Sequence, residues 1–263
     1  MRAGTMSFNI PLSQLQIFFL VLLRIGAFFF LACPFFDSKT VPILFKAGLA
    51  LSMSLALFPL LKLSPYSPVF EFIPFSLGIL KEVLLGVAMG LMVRLIFAGI
   101  QLAGQVIGFQ MGLAIANVID PVSSMQLSVL SQFKYLLAML IFLVTNAHYW
   151  LLKALIKSFY LIPPFMFQNL ASLMRGLMKA AENMFLVGVN LGAPVIVSLL
   201  LVSVALGLVA RTIPQINIFI AAIPLKVMVG TLVLILSFPF LFSFIERVFN
   251  EMGRNIYLLL RLV

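Results

Sequence analysis

The sequence predicts an all-α membrane protein built from about six apolar helices. Of its 263 residues, 63% are hydrophobic and only 9% are charged, whereas soluble domains use about 45–50% apolar residues. The mean hydropathy is +1.23. So few charged residues cannot solvate the exterior of a soluble domain, and lipid or tightly packed membrane partners must therefore cover the surface.

Six apolar runs are long enough to cross a bilayer, which takes about 20 residues in a helix. They lie near residues 10–36, 41–61, 75–100, 126–150, 184–210 and 216–245. Helices are expected because a helix satisfies its own backbone hydrogen bonds in lipid. We expect the whole chain, 1–263, to form one domain of helical hairpins.

The basic residues suggest an orientation for this domain. If all six runs cross, both tails and the loops at 62–74 and 151–183 share one side, which carries most of the Lys and Arg residues. The opposite side carries Lys39, Lys46 and Arg211. The positive-inside rule then places both tails in the cytoplasm.

The last segment, 246–263, has the pattern of an amphipathic helix. Arg247, Arg254 and Arg261 recur every seven residues and share one face, and a second face carries apolar side chains: Val248, Met252, Ile256 and Leu259. Such a helix lies on a membrane surface or provides a dock for a cytoplasmic partner.

The third run carries a stripe of small and charged residues spaced four apart. Its members are Gly78, Glu82, Gly86, Gly90, Arg94 and Ala98. Small residues at this spacing allow helices to pack closely in membranes. Glu82 and Arg94 are separated by about 18 Å of helix rise, so each needs a partner on another helix or chain, or access to water. The simpler alternative places Glu82 at the membrane interface beside Lys81.

The most unusual segment is 101–121. Gly104, Gly108, Gly112, Ala116 and Asp120 recur every four residues, and amides are supplied by Gln101, Gln105, Gln110 and Asn117. Because glycines weaken a helix by about 1 kcal/mol each, we expect weak backbone that lines a cavity or is enclosed by protein. Phe109 and Met111 add adaptable bulk suited to closing a pore. The spacing alone fits a tightly packed helix interface equally well.

Two further motifs have local explanations. Asp120 followed by Pro121 predicts the start of a helix, because Asp caps and Pro fits the first turn. Between the last two runs, Arg211 to Asn217 places polar side chains near the membrane, where they cap helix ends or bind a neighbouring subunit. No catalytic pattern or phosphate loop is present, and a single Cys33 and a single His148 exclude an intrachain disulfide and a His-rich metal site. We therefore expect no enzyme activity and no cofactor.

Several segments resemble the FliR family of flagellar biosynthesis proteins. The matching pieces, in family order, are Arg24–Pro34, Val41–Pro42, Glu82–Gly90, Gln101–Gly112, Asn117–Pro121 and Arg211–Asn217. The resemblance covers nearly the whole chain. The most specific matches are the central Gly/Gln segment with its Asp-Pro and the Arg-x-x-Pro-Gln-x-Asn turn.

The resemblance implies a subunit of a type III protein export gate in the bacterial inner membrane, at the flagellar basal body. The expected partners are FliP, FliQ and FlhB, in a helical hetero-oligomer of stacked, bent hairpins that exports unfolded proteins. The expected channel plug comprises Gly104, Gln105, Gly108, Phe109, Gln110, Met111, Gly112, Asn117, Asp120 and Pro121. The expected subunit contacts comprise Glu82, Gly86, Gly90, Arg94, Arg211, Pro214, Gln215 and Asn217.

Three other readings stay open on the sequence. The chain could serve a virulence type III secretion system, act alone as a membrane transporter, or scaffold assembly without gating. If the chain is a transporter, the isolated subunit should be functional. If it is a scaffold, altering the plug residues should not increase ion leakage.

Overall fold

Eight α-helices follow one another in this computed structural model, which describes residues 12–32, 41–61, 71–113, 128–167, 169–212 and 218–262. They are α1 (Leu12–Ala32), α2 (Ile43–Leu57), α3 (Phe72–Gln110), α4 (Val129–Val144), α5 (Ala147–Leu161), α6 (Leu170–Thr212), α7 (Ile218–Leu236) and α8 (Phe238–Leu262). A 3-10 helix, Phe58–Leu61, extends α2. Within the described residues there is no β-strand, which confirms the predicted fold class.

The number of helices able to span a membrane agrees with the prediction. Within the described ranges, four helices are long and apolar enough to cross: Leu12–Leu31, Ile43–Leu61, Phe72–Gln110 and Leu170–Thr212. Two bent pairs, α4 with α5 and α7 with α8, raise this to six if each pair counts as one span. The pairs are bent by 70° and 60°, and Asn146, with a φ of 56°, lies at the first bend.

Two predicted boundaries are wrong. The third apolar run does not end at residue 100, because α3 continues as regular helix to Gln110. The loop expected at 151–183 is mostly helix, with α5 reaching Leu161 and α6 starting at Leu170. Polar residues such as Lys153 and Arg175 lower the local hydropathy there, but the helices continue through them.

The segment expected to form an amphipathic helix at 246–263 is helical to Leu262, as the last part of α8, which runs unbroken from Phe238. Its basic face is exposed as expected. Its apolar face, including Met252, Ile256 and Leu259, is buried within the chain. This face is therefore covered by protein and is not free to lie on a membrane surface.

The chain divides into two compact units that interleave along the sequence. The first comprises Met1–Val93, Leu151–Leu177 and Asn255–Val263, and the second comprises Arg94–Trp150 and Met178–Arg254. In the first unit α1 packs against α2. In the second, one apolar core contains Ile107, Met111, Val195 and Leu199.

Candidate functional site at the end of the third helix

The last three turns of α3 press a glycine face against α4. A Cβ added to Gly104 would lie 2.5 Å from the Cα of Ser131, and one added to Gly108 would lie 2.8 Å from the Oγ of Ser128. The first contact is with backbone, so no side chain fits at Gly104, and this glycine is required for the close approach of the two helices. The second contact is with a side-chain hydroxyl, so an alanine at Gly108 would require the Ser128 side chain to move.

Two serines at the start of α4 form hydrogen bonds to α3 and stabilise this contact. Ser131 Oγ donates to the carbonyl of Gln101 at 3.0 Å, and Ser128 Oγ donates to the carbonyl of Gly104 at 3.4 Å. The Ser128 hydroxyl also caps α4 by accepting from the N–H of Ser131 at 3.1 Å, as N-cap serines do. One side chain thus both starts α4 and holds it to α3.

Gly112 ends α3 in a left-handed conformation. Its φ is 83°, a region that glycine enters without steric cost. Its N–H donates to the carbonyl of Phe109 at 3.1 Å, and the N–H of Leu113 donates to the carbonyl of Gly108 at 3.0 Å. These two bonds form a Schellman motif, which satisfies carbonyls that would otherwise be free at a helix end.

Side chains on the remaining faces divide between core and surface. Met111 is buried in the core of the second unit, against Gly230, where an added Cβ would lie 2.9 Å from the Met111 side chain. Gln105 is exposed, and Phe109 is 75% exposed. Gln110 is half-buried, and its Oε1 is buried without a hydrogen-bond partner in the described chain.

Residues 101–110 are regular helix, so the backbone of this part of the segment is not irregular. The glycines weaken the isolated helix, but packing and the Ser128 and Ser131 hydrogen bonds compensate, so the close helix interface is present here. Asn117, Asp120 and Pro121 lie outside the described residues. The helix start expected at Pro121 lies there too.

A second polar site lies inside the first unit. Arg24 on α1 and Glu82 on α3 form a bidentate ion pair, with Nε to Oε2 at 2.5 Å and Nη2 to Oε1 at 3.0 Å. Arg24 also donates to the carbonyls of Ser158 at 3.0 Å and Ile162 at 2.9 Å. Its guanidinium carbon lies 4.4 Å from the ring centroid of Phe159. All these groups are buried, so the pair joins α1, α3 and the end of α5.

The partner required by Glu82 is therefore Arg24 of the same chain, and both carboxylate oxygens are used within the fold. Gly86, one turn further along α3, lies so close to α1 that an added Cβ would be 2.8 Å from the Cβ of Ala27.

The sequence reasoning missed Arg24 as a site residue. Its signal was available, because Arg24 is the one basic residue within the run 10–36.

The other expected subunit-contact residues are distributed along the helices. Gly90 is buried on α3, whereas Arg94 is exposed there. Arg211 is exposed in the last turn of α6. Pro214, Gln215 and Asn217 lie outside the described residues.

Comparison with known proteins identifies the family. Residues 15–252 match the family model of bacterial export proteins, family 1. The flagellar biosynthetic protein FliR of Bacillus subtilis (strain 168) is 37% identical over 248 residues, covering 91% of this chain and 93% of that protein. The protein of the same name from Escherichia coli (strain K12) is 35% identical, covering 91% of each chain. The one from Aquifex aeolicus (strain VF5) is 31% identical, covering 82% of this chain and 83% of that protein. The chain belongs to the FliR family of bacterial export proteins.

Proposed function

We propose that this chain is a core subunit of the flagellar type III protein export gate in the bacterial inner membrane. In this role it forms and closes the channel through which unfolded flagellar proteins leave the cell, and flagellum assembly requires it. The relatives named flagellar biosynthetic protein FliR support a flagellar role, since this chain matches about nine-tenths of the length of two of them. The same matches favour a flagellar over a virulence system.

Assembly with other membrane subunits is supported by the apolar surface of α6. Its second half exposes large aliphatic side chains on several sides, namely Val197, Leu200, Leu201, Val204 and Leu208. From Asn183 to Ala210 the helix carries no charged residue. Such a surface needs lipid or apolar protein around it, and we propose FliP, FliQ and FlhB as the proteins that bind this chain.

The gate itself is best placed on the exposed face at the end of α3. The observation that carries this proposal is Phe109, a large ring that is 75% exposed on a helix end fixed to α4 by Ser128 and Ser131. A projecting aromatic side chain on such a support can narrow a channel, and the exposed Gln105, one turn away, supplies a polar group beside it. We include Gly104 to Pro121 in this plug.

The decisive experiment measures ion leakage through the assembled complex in liposomes. Replacing Phe109 with Ala removes the projecting ring without touching the glycine face, so leakage should rise. Phe185→Ala is the matched control, because Phe185 is also exposed, on α6, and its loss should leave leakage unchanged.

Two other outcomes would favour a different function for this chain. Unchanged leakage in an assembled Phe109→Ala complex would leave a scaffold role without gating. An isolated chain that conducts or transports without partners would indicate a stand-alone transporter.

A further inference from the structure

The second unit contains an apolar cavity of about 410 Å³ between the end of α3, α4, α6, α7 and α8. This volume lies within the range of ligand pockets, about 300–1,000 Å³. Its lining is aliphatic and aromatic apart from two polar side chains, Lys134 and Thr231. The chemistry of the walls therefore suits a long hydrocarbon.

Lys134 is a buried cation in this wall. Its side chain is on α4, the residue is 5% exposed, and its Nζ donates to the carbonyl of Leu191 at 3.3 Å. Within the described residues no carboxylate forms an ion pair with it. A buried charge costs several kcal/mol unless an opposite charge is present, so an anion beside the Lys134 Nζ would be strongly stabilised.

The cavity has a floor and a mouth. Five apolar lining residues are buried, as Lys134 is, whereas Val129, Phe133 and Ile235 are among the exposed ones; the buried five are Ile100, Met111, Leu191, Leu241 and Ile245. An anion paired with Lys134 would therefore lie inside, and the exposed lining residues are apolar. An occupant should be charged at one end and hydrocarbon along the rest.

We propose that this cavity binds a long-chain carboxylic acid, with its carboxylate on Lys134 and its chain extending to the mouth at Phe133 and Ile235. A carboxylate is small enough to be buried beside Leu191, whereas a phospholipid headgroup is larger and strongly hydrated. An acidic side chain from another protein would neutralise Lys134 but leave most of the cavity unfilled. The hydrocarbon chain packs against the apolar lining, and the carboxylate forms an ion pair with Lys134.

The test uses the complete chain in lipid nanodiscs and myristic acid that carries a diazirine at the end of its hydrocarbon chain. After illumination, mass spectrometry of the peptides should place the label near Phe133 or Ile235. The matched probe is the diazirine-bearing myristyl alcohol, which has the same chain and no charge. It should label far less, and this comparison requires no variant.

Lys134→Met should lower labelling by the acid roughly thirtyfold, as expected when one partner of a buried charge pair is removed. Lys179→Met, at an exposed position of α6, is the control and should label like the parent chain. Equal labelling by acid and alcohol, or no loss in a folded Lys134→Met variant, would overturn the proposal. It would also fail if phosphatidylglycerol displaced the probe as well as myristic acid does.

Discussion

Arg24 and Glu82 form a fully buried, bidentate ion pair 58 positions apart in the sequence. The carbonyls at the end of α5 accept the remaining Arg24 hydrogen bonds, so neither charge is left unsatisfied. Because each side chain would be costly alone in an apolar interior, the pair fixes which faces of α1 and α3 meet. It orients these helices more than it adds to stability.

Removing one member of this pair should destabilise the chain strongly. For Glu82→Met we expect a loss of about 3–5 kcal/mol in the free energy of unfolding, because Arg24 is left buried without a counter-charge. Thermal unfolding in detergent measures the effect. The double variant Arg24→Met with Glu82→Met should recover most of it, since two apolar side chains replace both charges. A double variant as unstable as the single one would show that the pair itself supplies the stability.

Gly104 of α3 and Gly207 of α6 should respond oppositely to substitution by alanine. Gly104→Ala places a Cβ 2.5 Å from the Cα of Ser131, so backbone must move, at about 1–3 kcal/mol. At Gly207, in α6, nothing lies within 4 Å of an added Cβ, so Gly207→Ala should stabilise the helix by up to about 1 kcal/mol. Thermal unfolding of the isolated chain compares the two. A neutral Gly104→Ala would refute the close approach of α3 and α4.

An aromatic cluster of the second unit should make α8 essential to the core. The Phe249 ring centroid lies 5.4 Å from that of Phe97 and 5.3 Å from that of Phe142, and Phe249 is fully buried. Phe249→Ala should therefore cost about 3–5 kcal/mol. Phe240→Ala, at a half-exposed position of the same helix, should cost less than about 1 kcal/mol. Equal losses, read from thermal unfolding in detergent, would contradict the placement of α8 in the core.

Hydropathy sufficed to predict an all-helical chain with four to six membrane-crossing helices, because a helix that crosses a bilayer requires a long apolar stretch. It failed where helices continue through polar residues, as at Lys153 and Arg175, since helix continuity depends on packing that a window average does not register. Spacing revealed Gly104 and Gly108 but left their role open, and only the position of Ser131 showed that they contact α4. Pairing of Arg24 with Glu82 was hidden because periodicity relates residues within one helix, not between helices.

Arg94 should contribute to assembly and not to the fold of the chain. It lies in the middle of α3, is exposed, and has no acidic partner within the described residues. A charged side chain at such a position of an apolar helix requires water or a partner from another chain. Arg94→Glu should therefore leave the free energy of unfolding of the isolated chain nearly unchanged, within about 0.5 kcal/mol, while lowering the yield of hetero-oligomer.

Native mass spectrometry after coexpression with FliP and FliQ measures that yield. The charge-matched control is Arg175→Glu, because Arg175 is also an exposed arginine. Full assembly of the Arg94→Glu variant would show that Arg94 faces water and not a neighbouring subunit.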